Sequence, residues 1–242
     1  MTTIKENLEV VRERIASAAK KSGRHENDIT LVAVTKTRTP DEIAEAIKCG
    51  ITCIGENKVQ EITDKYLQVA GLLEGNDALL DIKWHMIGHL QRNKVKYIID
   101  KVSIIESIDS IRLAEEVDRR AKSIGRIVDV LVQINAAEEE SKHGVKIDET
   151  ILLIEEILSS CKNIKIKGLM SIAPAAEDSN DIRKYFRQVN GLFEKISSEL
   201  NDENIEMKYL SMGMTHDFEV AIEEGSNLIR VGTGIFGERT YY

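Results

Sequence analysis

Short apolar runs alternate with longer stretches of helical periodicity along this chain. The runs are Leu31–Thr35, Cys53–Gly55, Trp84–Ile87, Ser103–Ser107, Val128–Ile134, Lys165–Met170, Tyr209–Met212 and Leu228–Val231. Their length and aliphatic, β-branched content predict strands. Between them lie amphipathic stretches near 40–49, 58–74, 91–100, 110–124, 147–160, 180–200 and 216–224, which predict helices. Another helix near 3–22 precedes the first strand. There Ile4, Leu8, Val11 and Ile15 share a face, and Thr3 with Glu6 makes a capping box.

The segment Val128-Asp129-Val130-Leu131-Val132 is largely apolar on both faces, as expected of a parallel strand covered by helices. Strict βα alternation implies right-handed crossovers and a parallel sheet. Eight such units in 242 residues fit an α/β (β/α)8 TIM barrel with an extra N-terminal helix better than an open doubly wound sheet. No Pro/Gly/Ser-rich linker divides the chain, whose prolines are Pro40 and Pro174. One domain over residues 1–242 is expected.

Composition narrows the class. An apolar fraction of 42% and a charged fraction of 31% describe a soluble globular protein. The net charge of -8 argues against a nucleic-acid surface. No stretch approaches a membrane span, and the amphipathic N-terminus is not a signal peptide. Cys49, Cys53 and Cys161 are odd in number and form no CxxC, so neither a disulfide framework nor a zinc site is suggested. Buried free thiols in a reducing cytoplasm are the expectation.

In a barrel, chemistry collects at the carboxyl ends of the strands. Lys36 stands there, at the end of Leu31-Val32-Ala33-Val34-Thr35-Lys36. Beyond it, Thr39, Pro40 and Glu42 form a capping box with proline at the first helical position. A partly desolvated amine at a strand end can attack a carbonyl and form a Schiff base. The competing reading is a solvated surface lysine. The last two strand ends carry a second signal. Ser211-Met212-Gly213-Met214-Thr215 leads to a helix expected from Asp217 to Glu224, and Arg230-Val231-Gly232-Thr233-Gly234 ends the final strand. Barrels commonly bind phosphate at these loops, where backbone N–H groups point outward. Glycines admit an anion closely, and Thr215 and Thr233 add hydroxyl donors. Ordinary turn glycines would look the same. Arg230 falls within a strand and needs a partner, either a carboxylate on a neighbouring strand or a ligand acceptor.

An amine at one place and a phosphate cradle at another suggest a ligand with an aldehyde and a phosphate, which describes pyridoxal 5′-phosphate (PLP). Seven blocks covering nearly the whole chain strengthen this. LVAVTKTRTPDEI, IGENKVQE, WHMIGHLQRNK, ESKHGV, GLMSIAP, LSMGMTHDFEVAI and IRVGTGIFGER, in that order, resemble the pyridoxal phosphate homeostasis protein family. That family is related to the alanine racemase-like (fold type III) PLP barrels. The resemblance implies that Lys36 holds PLP as a Schiff base and that Asn57 sits beside the ring or its substituents. It also implies that Thr215, Gly232 and Thr233 bind the phosphate and that Arg230 faces the pyridine nitrogen. Thr215 stands where the family usually has serine, keeping the hydroxyl and adding a methyl.

By the same resemblance the function is intracellular PLP homeostasis, holding and delivering cofactor without strong catalytic activity, with apo PLP-dependent enzymes as possible recipients. An arginine at the ring nitrogen leaves the ring a weak electron sink, although related racemases use arginine there too. Those racemases have a second β-domain that contributes a tyrosine; this chain ends at Gly237-Glu238-Arg239-Thr240-Tyr241-Tyr242, so no such domain and a monomer are expected. A small PLP-dependent amino-acid racemase is the alternative. A sugar-phosphate enzyme using Lys36 without PLP is a third reading. His85, His89 and His216 are the histidines open to a role; for His85 a structural one is equally open.

Overall fold

The computed structural model describes residues 2–73, 82–139, 142–174 and 179–238. Glu74 of the expected helix near 58–74, Glu140 and Ser141 of the ESKHGV block, and Arg239 to Tyr242 lie outside the described residues. Eight strands form a closed, all-parallel barrel in chain order: β1 (Thr30–Val34), β2 (Cys53–Glu56), β3 (Lys83–Met86), β4 (Ile104–Ile108), β5 (Val128–Ile134), β6 (Ile164–Ser171), β7 (Ile205–Ser211) and β8 (Leu228–Val231). β8 closes on β1 with Val32 opposite Arg230. The helices are α1 (Ile4–Lys21), α2 (Pro40–Lys48), α3 (Val59–Leu72), α4 (Ile111–Ser123), α5 (Thr150–Ser160), α6 (Ser179–Glu199), α7 (Phe218–Glu223) and α8 (Thr233–Phe236).

The capping signals work as read. Thr3 accepts from the Glu6 amide and Thr39 from the Glu42 amide, with the reciprocal glutamate contact in both. Four expectations shift. The 91–100 stretch forms 3-10 turns at Arg92–Tyr97 instead of an α-helix. Val95, Ile98, Ile99 and Val102 are buried, a spacing that periodicity alone assigns to a helix. β7 begins at Ile205, earlier than Tyr209, because exposed Glu206 and Lys208 alternate with its apolar residues. Gly232-Thr233-Gly234, read as loop, opens the short α8. Of the thiols, Cys53 and Cys161 are buried, but Cys49 caps α2 and is only half-buried.

The N-terminal helix packs against α7 and α8. Arg14 makes a two-pronged contact with Glu219, Nε to Oε1 at 2.9 Å and Nη2 to Oε2 at 2.7 Å. Asn7 Nδ2 donates to the Ile235 carbonyl at 2.9 Å. The extra helix thus buttresses the two elements that follow Thr215 and Gly232. Among the described residues, no helix is long and apolar enough to cross a membrane.

Candidate functional site

A cavity of about 240 Å³ opens at the carboxyl ends of the strands. Its lining includes Lys36, Asn57, Thr215, Arg230, Gly232 and Thr233. The six residues singled out in the sequence therefore meet in one place. Val34, Ile87, Ile172, Met214 and His216 complete the wall. A larger cavity of about 470 Å³ lies beside Arg12, Thr30 and Thr52, at the amino ends of β1 and β2. Volume alone would have selected that one, but it holds none of the six.

Lys36 sits two residues past β1 and is half-buried. Its flanks are fixed by a buried ionic cluster. Lys65 of α3 donates to the Thr35 carbonyl at 2.9 Å, to Glu56 Oε1 at 2.8 Å and to Glu61 Oε2 at 2.7 Å. The Thr35 hydroxyl donates to Glu56 Oε1 at 2.7 Å. Thr37 holds a left-handed backbone, φ 65°, and its N–H donates to Glu61 Oε2 at 2.6 Å. That conformation is uncommon for a β-branched residue and persists only where neighbours enforce it. Burial pushes the Glu56 carboxyl up, against the pull of Lys65. Burial also acts on Glu61, but Lys65 and the Thr37 amide outweigh it and hold that carboxyl below its ordinary value.

The elements that carry Thr215, Gly232 and Thr233 line the same cavity as Lys36. Thr215 lies in the turn before α7, three residues ahead of the helix, not at its start. Its hydroxyl accepts from the Gly232 amide at 3.4 Å and the Gly234 amide at 3.3 Å. Both bonds are long, so these donors are weakly engaged. A Cβ at Gly232 would meet Val34 at 3.4 Å, whereas one at Gly234 would strike Val231 at 2.9 Å. Packing alone thus explains glycine at 234 but not at 232, which lines the cavity. Asn57 carries an orphaned acceptor: its Oδ1 is buried with no hydrogen-bond partner. The Asn57 backbone is pinned by Gly88, where a Cβ would lie 2.3 Å from the Asn57 carbonyl oxygen.

Arg230 resolves both ways at once. It lines the cavity and is buried, and it also has a strand carboxylate nearby. Nη2 donates to the Ser171 carbonyl at 2.9 Å, Nη1 donates to Ser211 Oγ, and Glu106 Oε2 is 3.9 Å away. Glu106 of β4 reaches Ser211 Oγ of β7 at 2.6 Å, so this network crosses the barrel interior. Its other oxygen meets His85 Nδ1 at 2.6 Å. Burial opposes charge on His85, but hydrogen bonds to Cys53 and Glu106 outweigh it and lift the imidazole to about 9. Burial likewise opposes charge on Glu106, yet His85 and Arg230 hold the carboxyl below its ordinary value. His85 is thus an interior ion-pair partner and does not line the Lys36 cavity. The strand run Ile104-Ile105-Glu106-Ser107-Ile108, fully buried around a carboxylate, was the overlooked signal.

Residues 2–240 match the family model for the alanine racemase N-terminal domain. A pyridoxal phosphate homeostasis protein of Aquifex aeolicus is 43% identical over 236 residues, covering 98% of each chain. The crystal structure of an unknown protein from Bifidobacterium adolescentis superposes with a TM-score of 0.88 at 39% identity, covering 96% of this chain and 94% of that one. The PLP-bound structure of PipY from Synechococcus elongatus gives a TM-score of 0.81 at 28% identity, covering 97% of this chain and 100% of that one.

Proposed function

The chain belongs to the alanine racemase N-terminal domain family and, within it, to the pyridoxal phosphate homeostasis proteins; from that premise we propose that it binds PLP in the Lys36 cavity and serves to hold and deliver the cofactor. The residues present fit the group. The cavity offers an amine at Lys36, an orphaned buried polar atom at Asn57 and two loosely engaged amides beside a hydroxyl at Thr215. The observation that carries the reading is the convergence of these complementary groups on one cavity.

In this reading Lys36 attaches the cofactor, Thr215, Gly232 and Thr233 hold its phosphate, and Asn57 supports the ring or its substituents. Bound there, PLP supplies an aldehyde that a lysine amine takes up and gives back. The Thr35 and Thr37 anchors orient Lys36. Arg230 keeps its proton and, held by Ser171 and Ser211, places a fixed positive charge at the ring-nitrogen side. A ring nitrogen left without a proton gives little help to carbanion chemistry, which favours holding over turnover.

Racemisation needs proton carriers on both faces of the substrate's α-carbon. His216 is the one candidate beside Lys36 among the described cavity residues. The test is solvent-deuterium exchange at the α-carbon of L- and D-alanine, run alongside transfer of PLP to an apo-enzyme. Transfer with negligible exchange is expected. Efficient exchange with interconversion of enantiomers, lost in Lys36→Ala, would make the protein a racemase.

A further inference from the structure

We propose that His89, Asp109 and His143 form a site for a divalent transition-metal ion of the zinc class at the barrel rim. The three come from the segments after β3, β4 and β5, so consecutive rim loops meet there. One ligand atom from each lies within 4.8 Å of the other two, the only such trio among the described residues. The two imidazoles stack with centroids 3.7 Å apart and planes 8° from parallel. His89 Nδ1 is 3.7 Å from Asp109 Oδ2, too far for a hydrogen bond. The trio is therefore close but not satisfied by its own members.

The donor set selects the ion. Two imidazole nitrogens and a carboxylate suit Zn2+, Co2+, Ni2+ or Cu2+, whereas Mg2+ and Ca2+ prefer oxygen ligands. Tetrahedral zinc with bonds of about 2.0–2.1 Å sets ligand atoms about 3.3 Å apart. The trio must then close by at most about 1.5 Å. Both histidines are exposed, so their rings can turn out of the stack toward a common centre. Asp109 is more enclosed, and Ser110 Oγ donates to its Oδ1 at 3.2 Å, leaving Oδ2 for the ion. The neighbouring Lys142 is engaged elsewhere, with Glu139 Oε1 at 2.9 Å and the Ala173 carbonyl at 3.3 Å.

Three protein ligands leave a coordination position for water or a small molecule. His89 and His143 also line a cavity of about 270 Å³ that shares Asn57, Ile87 and Ile172 with the Lys36 cavity. The ion would stand beside the proposed cofactor site, but the metal proposal does not depend on that reading. No local motif announces the site, because its ligands are spread over three loops.

The test is titration of chelator-treated protein with Zn2+ by calorimetry and with Co2+ by visible absorption, with melting scans in parallel. One ion per chain, a melting temperature that rises with Zn2+, and a four- or five-coordinate Co2+ band are expected. His89→Asn and His143→Asn should each weaken Zn2+ at least tenfold and erase the Co2+ band, and Asp109→Ala should weaken it as well. The exposed His25→Asn should change nothing. Melting of the two histidine variants without metal should match wild type, because both histidines are exposed. Zn2+ affinity unchanged in the His89→Asn/His143→Asn double variant overturns the proposal. So does a Co2+ spectrum that disappears in Cys49→Ser, which would place the ion on the thiol.

Discussion

Replacing Lys65 with methionine removes the cation behind Lys36 while keeping its aliphatic volume. Lys65 is 10% exposed at its side chain and Glu56 is 0% exposed, so the carboxylate loses its charge partner inside the protein. Breaking a buried pair from one side costs about 3–5 kcal/mol. For a chain of this size, each kcal/mol lowers the melting temperature by about 2–4 °C, so Lys65→Met should melt roughly 6–20 °C lower. Glu56→Gln should cost less, about 1–3 kcal/mol, because Lys65 keeps Glu61 and the Thr35 carbonyl. The double variant should lose less than the sum of the singles, with a coupling of roughly 0.5–3 kcal/mol. Urea unfolding of the four proteins reads these values, and absorbance after dialysis reads PLP retention. Retention should fall in Lys65→Met and stay low in the double variant, since the Thr35 carbonyl has lost the Lys65 ammonium in both. Strictly additive stabilities with retention equal to wild type would refute the argument that this cluster positions Lys36.

Thr233→Val should weaken PLP retention about ten- to a hundredfold, the loss of a hydrogen bond to a charged group, with apo stability little changed; Thr215→Val should act alike, read by equilibrium dialysis. His85 gives a pH signature. Its folded value of about 9 exceeds the ordinary 6.5, so its stabilisation is complete below about pH 6.5 and is lost as pH rises through 9. At about 1.4 kcal/mol per unit this is about 3 kcal/mol, and urea midpoints from pH 6.5 to 9.5 should fall in wild type and flatten in His85→Gln.

The fold was legible because each strand is an apolar run bounded by turn or capping signals, and eight repeats leave few alternatives to closure. The residues that meet in the cavity were legible because strand ends in a barrel converge whatever their sequence separation. What escaped was contact across the barrel. Nothing local in Glu106 or His85 says that β4 reaches β7, or that Arg230 shares the carboxylate. A charged residue inside an apolar strand was readable at Arg230 and equally present at Glu106. Lys65 and Glu61 showed helical i,i+4 spacing, which on sequence alone is indistinguishable from a solvated surface pair. The enclosure that makes Lys65 matter comes from Glu56, on another element.

The most direct test is where the cofactor attaches. PLP-loaded protein is reduced with borohydride, digested and mapped by mass spectrometry. The label should fall on the peptide containing Thr35-Lys36-Thr37 and vanish in Lys36→Ala. Label on Lys58 or Lys142, or undiminished label in Lys36→Ala, would contradict the assignment of Lys36 as the PLP-bearing residue.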